Sequence, residues 1–401
     1  MIRFCIRWLI SKSVRRAVEL RKMVVKICRA QQDLLKPEEV KAIRETCAGL
    51  SAAINADKLD LEKVKESVTA VEKVANKFLK PYPSATMREN VEVVLVAVAV
   101  AMAIRTFVLQ PFKIPTGSMQ PTLYGITHED YRNREDVVFP TGAAAWFDRI
   151  FRGVKYIHIV AEEGGYLEEV EPLTKVMKFR KRQRFKVGGV WYSASGLHDE
   201  IIGGKYNRAG LRGDMYFEKG EDIVKLKVIS GDHLFVDRMS YNFIRPSRGD
   251  IVVFATMGID HPDVPQNQFY IKRLIATGSE KVRISDDRHV WIDDDRLDAS
   301  TYRFENVYAF DPEMAPQDSL HSGHLNGSYA YRLAPLFPDN DRGIQVRPNH
   351  ILAMGDNTVN SLDSRAWGDV TQTNVIGRSA FVYWPILGNG ERESRFGWSH
   401  R

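Results

Sequence analysis

Residues 91–112, VEVVLVAVAVAMAIRTFVLQPF, constrain this chain more than any other segment. The uncharged core, Val93 to Ile104, is shorter than the roughly 20 residues a bilayer span needs, and taken alone it reads as a buried helix. Adding Thr106 to Leu109, with Arg105 snorkelling to the interface, brings the segment to spanning length. The expectation is one transmembrane helix over residues 90–110. Lys73, Lys77, Lys80 and Arg88 precede it, whereas residues 111–130 carry only Lys113. Basic flanks stay on the cytoplasmic side. The first 90 residues are therefore expected inside, and everything after the span outside, as in a single-pass protein of a bacterial inner membrane.

Charge supports the same division. The net charge is +6, and residues 1–90 hold 19 Lys/Arg against 11 Asp/Glu, leaving 38 against 40 for the rest. The basic excess thus belongs to the N-terminal arm. No finger, basic zipper or RNA-reading motif accompanies it, so a lipid bilayer is the expected partner and nucleic acid is not. Residues 1–35 interleave Phe4, Ile6, Trp8, Leu9, Ile10, Val14, Met23, Val24 and Ile27 with basic residues, the pattern of a cationic amphipathic helix that either lies on a bilayer or packs as an ordinary helix. Over residues 36–82 two apolar stripes follow at spacings of three and four: Val40, Ile43, Cys47, Leu50 and Ile54, then Leu61, Val64, Val68, Val71 and Phe78. They predict a cytoplasmic helical hairpin with a turn at Asn55 to Asp57, open to docking an unknown partner. Cys5, Cys28 and Cys47 all lie in this arm, which leaves the remainder without any disulfide framework.

Past the span the texture changes to short apolar runs punctuated by Gly, Asp and Asn: HLFVDRM, DIVVFA, QFYIKRLIA, KVRIS, HVWID and SAFVYW. The fold class expected here is mostly β, an antiparallel extracytoplasmic domain. Just after the membrane segment stands FKIPTGSMQPTLYG, where Pro115, Gly117 and Pro121 frame Ser118 on a constrained turn. A serine hydroxyl needs a base to become a nucleophile. None of the ten histidines sits in a recognisable triad setting, and no GxSxG elbow is present. A lysine serves instead when burial lowers its pKa. Lys272 lies in the apolar run QFYIKRLIA, with Tyr270 and Leu274 expected on its own face and Ile271 and Arg273 on the other.

At these residues the chain resembles bacterial signal peptidase I, from the membrane span to the C-terminus. The matching boxes, in family order, are IPTGSMQPTL, GDHLFVDRMSYNF, RGDIVVF with YIKRLIA, and GDNTVNSLDSRAWG. The resemblance implies Ser118 as nucleophile and Lys272 as general base. It further implies an oxyanion hole from the Thr116 hydroxyl and the Ser118 N–H, a lysine-orienting Ser361, and ion pairs Asp363–Arg365 and Asp356–Arg273. It implies signal peptides of preproteins as substrate, with no metal and no cofactor.

Departures from the family pattern are Ala276 after the lysine box, Gly278, Ser279 and Glu280 for its Pro-Gly-Asp, and Thr358 and Val359 where Arg and Asp are common. The largest is an insert over residues 127–228, read as a β-rich appendage between peptidase segments 111–126 and 229–401. Its run Lys178, Arg180, Lys181, Arg182 and Arg184 suits either anionic lipid or, more simply, a solvated strand face. Asp293, Asp294 and Asp295 fit a hairpin turn better than a calcium loop. Two other functions compete: a self-cleaving repressor protease, disfavoured by the absence of a DNA-binding module, and a catalytically dead envelope scaffold, disfavoured by the intact Ser118, Lys272 and Ser361.

Overall fold

The computed structural model describes residues 11–56, 59–80, 85–177, 180–204, 207–309, 322–390 and 392–399. The N-terminal residues Arg3 to Ile10 of the expected amphipathic helix, Asp57 at the hairpin turn and Lys178 in the basic run lie outside them. The chain divides into two compact units, Met1–Ala99 and Val100–Arg401.

In the first unit three helices share one core. Helix α1 (Lys12–Ala30) starts at Ser11, whose side chain accepts from the Val14 N–H, and α2 (Pro37–Asn55) starts with Pro37 in its first turn. Helix α3 (Leu61–Phe78) is capped by Asp60, which accepts from the Glu62 and Lys63 N–H groups. Such caps satisfy amides that have no partner within the helix. All five predicted apolar positions of α2 are buried, together with Val64 and Val71 of α3. Leu61, at the mouth of α3, is 45% exposed and stands off the stripe.

Of the two readings of the basic amphipathic segment, α1 follows the packed helix over Lys12–Ala30. Val14, Ala17, Val18, Val24 and Cys28 are buried in the same cluster as α2 and α3, because a hairpin with a single apolar stripe on each helix leaves a groove that a third stripe closes. Buried Gln31 fastens the far end, donating from Nε2 to the Lys80 carbonyl and accepting from the Lys80 N–H.

Residues Ala85–Phe107 form α4. Its stretch Met87–Phe107 contains an 18-residue window of mean hydropathy 1.8, and none of that window is buried. At 1.5 Å per residue it is about 31 Å long, the thickness of a bilayer's hydrocarbon core. The helix stops short of the expected residue 110, since Leu109 and Gln110 are already paired in a sheet with Asp237 and Val236.

The second unit is built from antiparallel strands. In chain order they are β1 (Leu109–Lys113), β2 (Thr127–Asp130), β3 (Val154–Val160), β4 (Gly165–Val170), β5 (Thr174–Met177), β6 (Arg180–Val187), β7 (Val190–Ser195), β8 (Tyr216–Phe217), β9 (Asp222–Ile229) and β10 (His233–Asp237). There follow β11 (Ile251–Ala255), β12 (Phe269–Thr277), β13 (Lys281–Ile284), β14 (Val290–Ile292), β15 (Asp295–Arg296), β16 (Gly343–Gln345), β17 (His350–Met354), β18 (Val370–Thr371), β19 (Val375–Trp384) and β20 (Gly397–Trp398). The main sheet runs β1-β10-β19-β11-β12-β17-β18, with β20 added to β19.

Both faces of this sheet are covered. Ile251 and Val253 of β11 pack with Ile114, Met119, Leu123 and Leu234 on one side. Val252 and Phe254 pack with Leu274, Ile351 and Ala353 on the other. Burial on both faces explains why IVVF is continuously apolar rather than alternating.

Residues of the expected insert carry a core of their own, centred on Phe185, Tyr192, Ile201, Phe217 and Val224. They form the sheets β2-β9-β3 and β5-β6-β4-β8, with β7 on β6. The appendage also holds helical turns that the strand pattern gave no hint of, Gly142–Phe147 followed by Asp148–Arg152. Their seed is GAAAWF, rich in the best helix former, and the buried Asp148 that accepts from Arg152 and the Tyr156 hydroxyl. Arg184 of the basic run pairs with Glu171 at 3.4 Å. Farther along, β15-β14-β13-β16 form a fourth sheet over Val282, Ile284, Val290, Phe304 and Phe337. There Asp293 takes a left-handed turn conformation and accepts from the Lys281 N–H.

Leu50→Ala is expected to lower the opening free energy of the three-helix core by about 2–5 kcal/mol. Hydrogen exchange read by mass spectrometry checks this: amides of α1 to α3 should exchange faster while the main sheet is unaffected, and unchanged exchange in α1 to α3 contradicts the packing.

Candidate active site

Ser118 sits on the loop that follows β1, and the loop is held from several sides. The Ile114 N–H donates to the Asp232 carbonyl, and the Ile126 N–H to the Pro115 carbonyl. Met119 and Leu123 anchor the loop in the core. Two glycines allow the close approaches. A Cβ on Gly125 would fall 2.2 Å from the Thr116 carbonyl, and one on Gly355 would fall 2.4 Å from the Ser118 carbonyl and 2.2 Å from Ser361 Oγ. Neither place tolerates a side chain.

Lys272 reaches this loop from β12, where it pairs in register with Val252. Its amine nitrogen lies 2.7 Å from Ser118 Oγ, and the two residues are 5% and 6% exposed. Tyr270 is on the same side, its ring 5.7 Å from the amine. Burial lowers the Lys272 pKa to about 8; Asp363 and Asp356 oppose the fall and Arg365 adds to it. Removal from water disfavours the ammonium, and among the described residues no carboxylate is hydrogen-bonded to it to offset that cost. A large share of neutral amine is thereby present near pH 8, within hydrogen-bond reach of a hydroxyl.

The neighbouring charges are paired and saturated. Arg273, on the opposite face of β12, binds Asp356 in a fork, Nε to Oδ1 at 2.7 Å and Nη2 to Oδ2 at 2.6 Å. Thr122 lies across this pair, donating to Asp356 at 2.5 Å and accepting from Arg273 at 3.1 Å. Arg365 is fully buried against Asp363, with both contacts at 2.9 Å, and also donates to the Thr358 hydroxyl, the Thr358 carbonyl and the Ser361 carbonyl. Burial alone would raise the Asp363 pKa, but the Arg365 guanidinium brings it down to about 2.

Thr358 is the position where the resemblance led one to look for arginine. Its hydroxyl is spent on Arg365 and on the Leu325 N–H, so the substitution belongs to the local packing of the loop. Sequence reasoning gave no role to Asn357, Thr122 or Thr358. Asn357 clamps the Ser118 turn through its N–H to the Ser118 carbonyl and its side chain to the Gly117 carbonyl. The only signal was their position inside the matching boxes.

Two expectations fare differently. Among the described residues Ser361 makes no hydrogen bond to Lys272; its buried side chain lies by the Asp363 carboxylate instead and helps to lower that group's pKa. Thr116 is exposed at the edge of the turn, and among the described residues neither its hydroxyl nor the Ser118 N–H is taken by another group. Both donors are thus available to an incoming carbonyl oxygen.

A family model described as signal peptidase, peptidase S26, matches residues 87–151 and 224–384, more than half of the chain. The chain belongs to that family. The unmatched segment, 152–223, is shorter at both ends than the insert read from sequence. Among similar proteins, signal peptidase I of Leptolyngbya laminosa is 31% identical over 161 residues, covering 40% of this chain and 64% of the relative. Thylakoidal processing peptidase 1 of Arabidopsis thaliana is 26% identical over 159 residues, 39% of this chain and 37% of the relative. The chain thus spans between about a third and two thirds of these relatives. A solved signal peptidase I from Enterococcus faecalis V583 is 21% identical, with a TM-score of 0.24, over 34% of this chain and 97% of that one.

Replacing Asp363 by Ala leaves the Arg365 charge buried and unpaired, and is expected to cost about 3–5 kcal/mol of stability. Urea unfolding followed by tryptophan fluorescence reads it, and a loss below about 1 kcal/mol, the size of an exposed pair, contradicts the assignment. In the unsubstituted protein the same pair contributes fully above the ordinary aspartate pKa, and its contribution is lost as the pH falls towards about 2.

Proposed function

We propose that the chain is a membrane-anchored serine endopeptidase that removes N-terminal signal peptides from exported preproteins. The observation that carries this reading is the 2.7 Å contact between the Lys272 amine and Ser118 Oγ, both shielded from water. In the proposed reaction neutral Lys272 takes the Ser118 hydroxyl proton as Oγ attacks the scissile carbonyl carbon. The resulting oxyanion accepts from the Ser118 N–H and the Thr116 hydroxyl. The Lys272 ammonium then gives its proton to the departing amine, leaving an acyl ester on Ser118. Water, deprotonated by the same amine, hydrolyses that ester and restores the serine.

Ser361 is given the part of holding the lysine once its hydroxyl turns towards the amine. Arg273, Asp356, Asp363 and Arg365 hold the loops around the dyad without touching the reacting atoms. Helix α4 is read as the anchor, with the first unit in the cytoplasm and the peptidase unit on the outer face of a bacterial inner membrane. Its exposed apolar surface supports an anchor, since such a patch is costly in water. The scaffold alternative is disfavoured because a chain without catalysis gains nothing from an amine whose ammonium form is penalised by burial.

Ser118→Ala and Lys272→Ala are each expected to lower cleavage of a preprotein with an Ala-x-Ala site by about 10⁴-fold or more while the protein stays folded in the membrane. Electrophoresis of product formed by detergent-solubilised enzyme measures it, and a Lys272 variant at the unsubstituted rate sinks the dyad. The rate should also rise with pH up to about 8, where Lys272 loses its proton, and flatten above it. A profile level from pH 5 to 9 contradicts this base.

A further inference from the structure

A cavity of about 510 Å³ lies where β1, β10 and the end of β19 meet the inserted strands, away from the Ser118 contact. Four basic side chains line it, Lys113, Arg149, Lys155 and Arg208, against one carboxylate, Asp199, and of these the Lys155 amine is engaged by the Ser195 carbonyl. That carboxylate is taken by Arg208 at 2.7 Å. The Lys113 amine stands 2.9 Å from Nδ1 and 2.6 Å from Nε2 of His198, a neighbour that cannot neutralise it. Burial, with a contribution from Lys181, lowers Lys113 to about 8 even though Asp199 opposes the fall. Burial and then Lys113 hold His198 and His233 near 4, so both imidazoles are neutral at pH 7. Nε2 of His233 is buried without a hydrogen-bond partner among the described residues.

The charge balance and the unsatisfied imidazole nitrogen both call for an anion with several acceptor oxygens. The rest of the lining calls for something more than an inorganic ion. Ile157, Leu197 and Trp384 supply an apolar wall. Ile150 and Ile386, 41% and 39% exposed, belong to the same lining. Volume and mixed lining fit a small amphiphile. Lys113 is only six residues beyond Phe107, the end of α4, a reach of about 20 Å for extended chain. Lys155, Ile157, Leu197, His198, Ile201 and Arg208 fall in the stretch that the family model leaves unmatched, so the inserted residues complete one side of the cavity.

We propose that this cavity binds the phosphate group of an anionic lipid, with the headgroup against Lys113, Arg149 and His233 and the start of the acyl chains against the apolar wall. The lipid source rests on the reading of α4 as a membrane anchor; the phosphate chemistry does not. A soluble phosphate ester shares that chemistry, and the test separates the two.

Titration calorimetry on the full chain in neutral detergent uses three probes: dihexanoyl phosphatidic acid, dihexanoyl phosphatidylcholine and inorganic phosphate. The expected result is binding of the phosphatidic acid, and an affinity for it about tenfold or more weaker in Lys113→Gln and in Arg149→Gln. Lys113→Arg should restore it, and Lys219→Gln, an exposed lysine of the same insert, should leave it unchanged. Circular dichroism of each variant establishes that it is folded. Equal binding of the zwitterionic lipid, inorganic phosphate binding as tightly as the phosphatidic acid, or variants that bind like the unsubstituted chain each overturn the proposal. Because the short-chain lipid needs no bilayer, a null result here leaves peptidase activity untouched, and loss of activity in the Ser118 variant leaves this binding untouched.

Discussion

An amine withdrawn from water organises the peptidase unit. Among the described residues the Lys272 amine is hydrogen-bonded to Ser118 Oγ and to no carboxylate. The surrounding structure keeps it so. β12 sits inside the sheet between β11 and β17, which excludes water from both sides of the lysine stem. The nearby acids, Asp356 and Asp363, are each occupied by an arginine, so they oppose the lowering of the lysine pKa only from a distance. Had either acid been free, it would have favoured the charged form of the amine.

The same arginines position Ser118 indirectly. Asp356 and Asn357 are adjacent in the chain, and one is locked to Arg273 while the other grips the Ser118 turn. Asp363 accepts from the Gly355 N–H at the start of that loop. The two buried ion pairs therefore fix the path of one loop, and the loop fixes the distance between hydroxyl and amine. Small residues complete the arrangement at Gly125 and Gly355, where backbone meets backbone.

Much of this was legible in the sequence. A lysine inside an apolar strand and a serine framed by prolines and glycine are each anomalies with a chemical reading, and the order of the boxes joined them. Helix stripes in the first unit were plain because burial at Val40, Ile43, Cys47, Leu50 and Ile54 follows a strict period. What those stripes pack against was not plain: an amphipathic helix looks alike whether it meets a bilayer or two other helices, and α1 meets helices. The end of α4 was misplaced because hydropathy does not register that Leu109 pairs with Asp237. Thr358 and Asn357 were missed since their partners, Arg365 and the Ser118 turn, are contacts made only in three dimensions. The orientation of Ser361 depends on a single side-chain torsion, which no sequence pattern encodes.

The most direct test is to titrate the Lys272 amine itself. With lysine labelled at Cε, the ¹³C resonance absent from Lys272→Ala identifies it, and its shift against pH gives the pKa. The account predicts a midpoint near 8. A midpoint near 10.5, that of a lysine in water, would mean that the amine stays charged beside Ser118 and cannot take its proton.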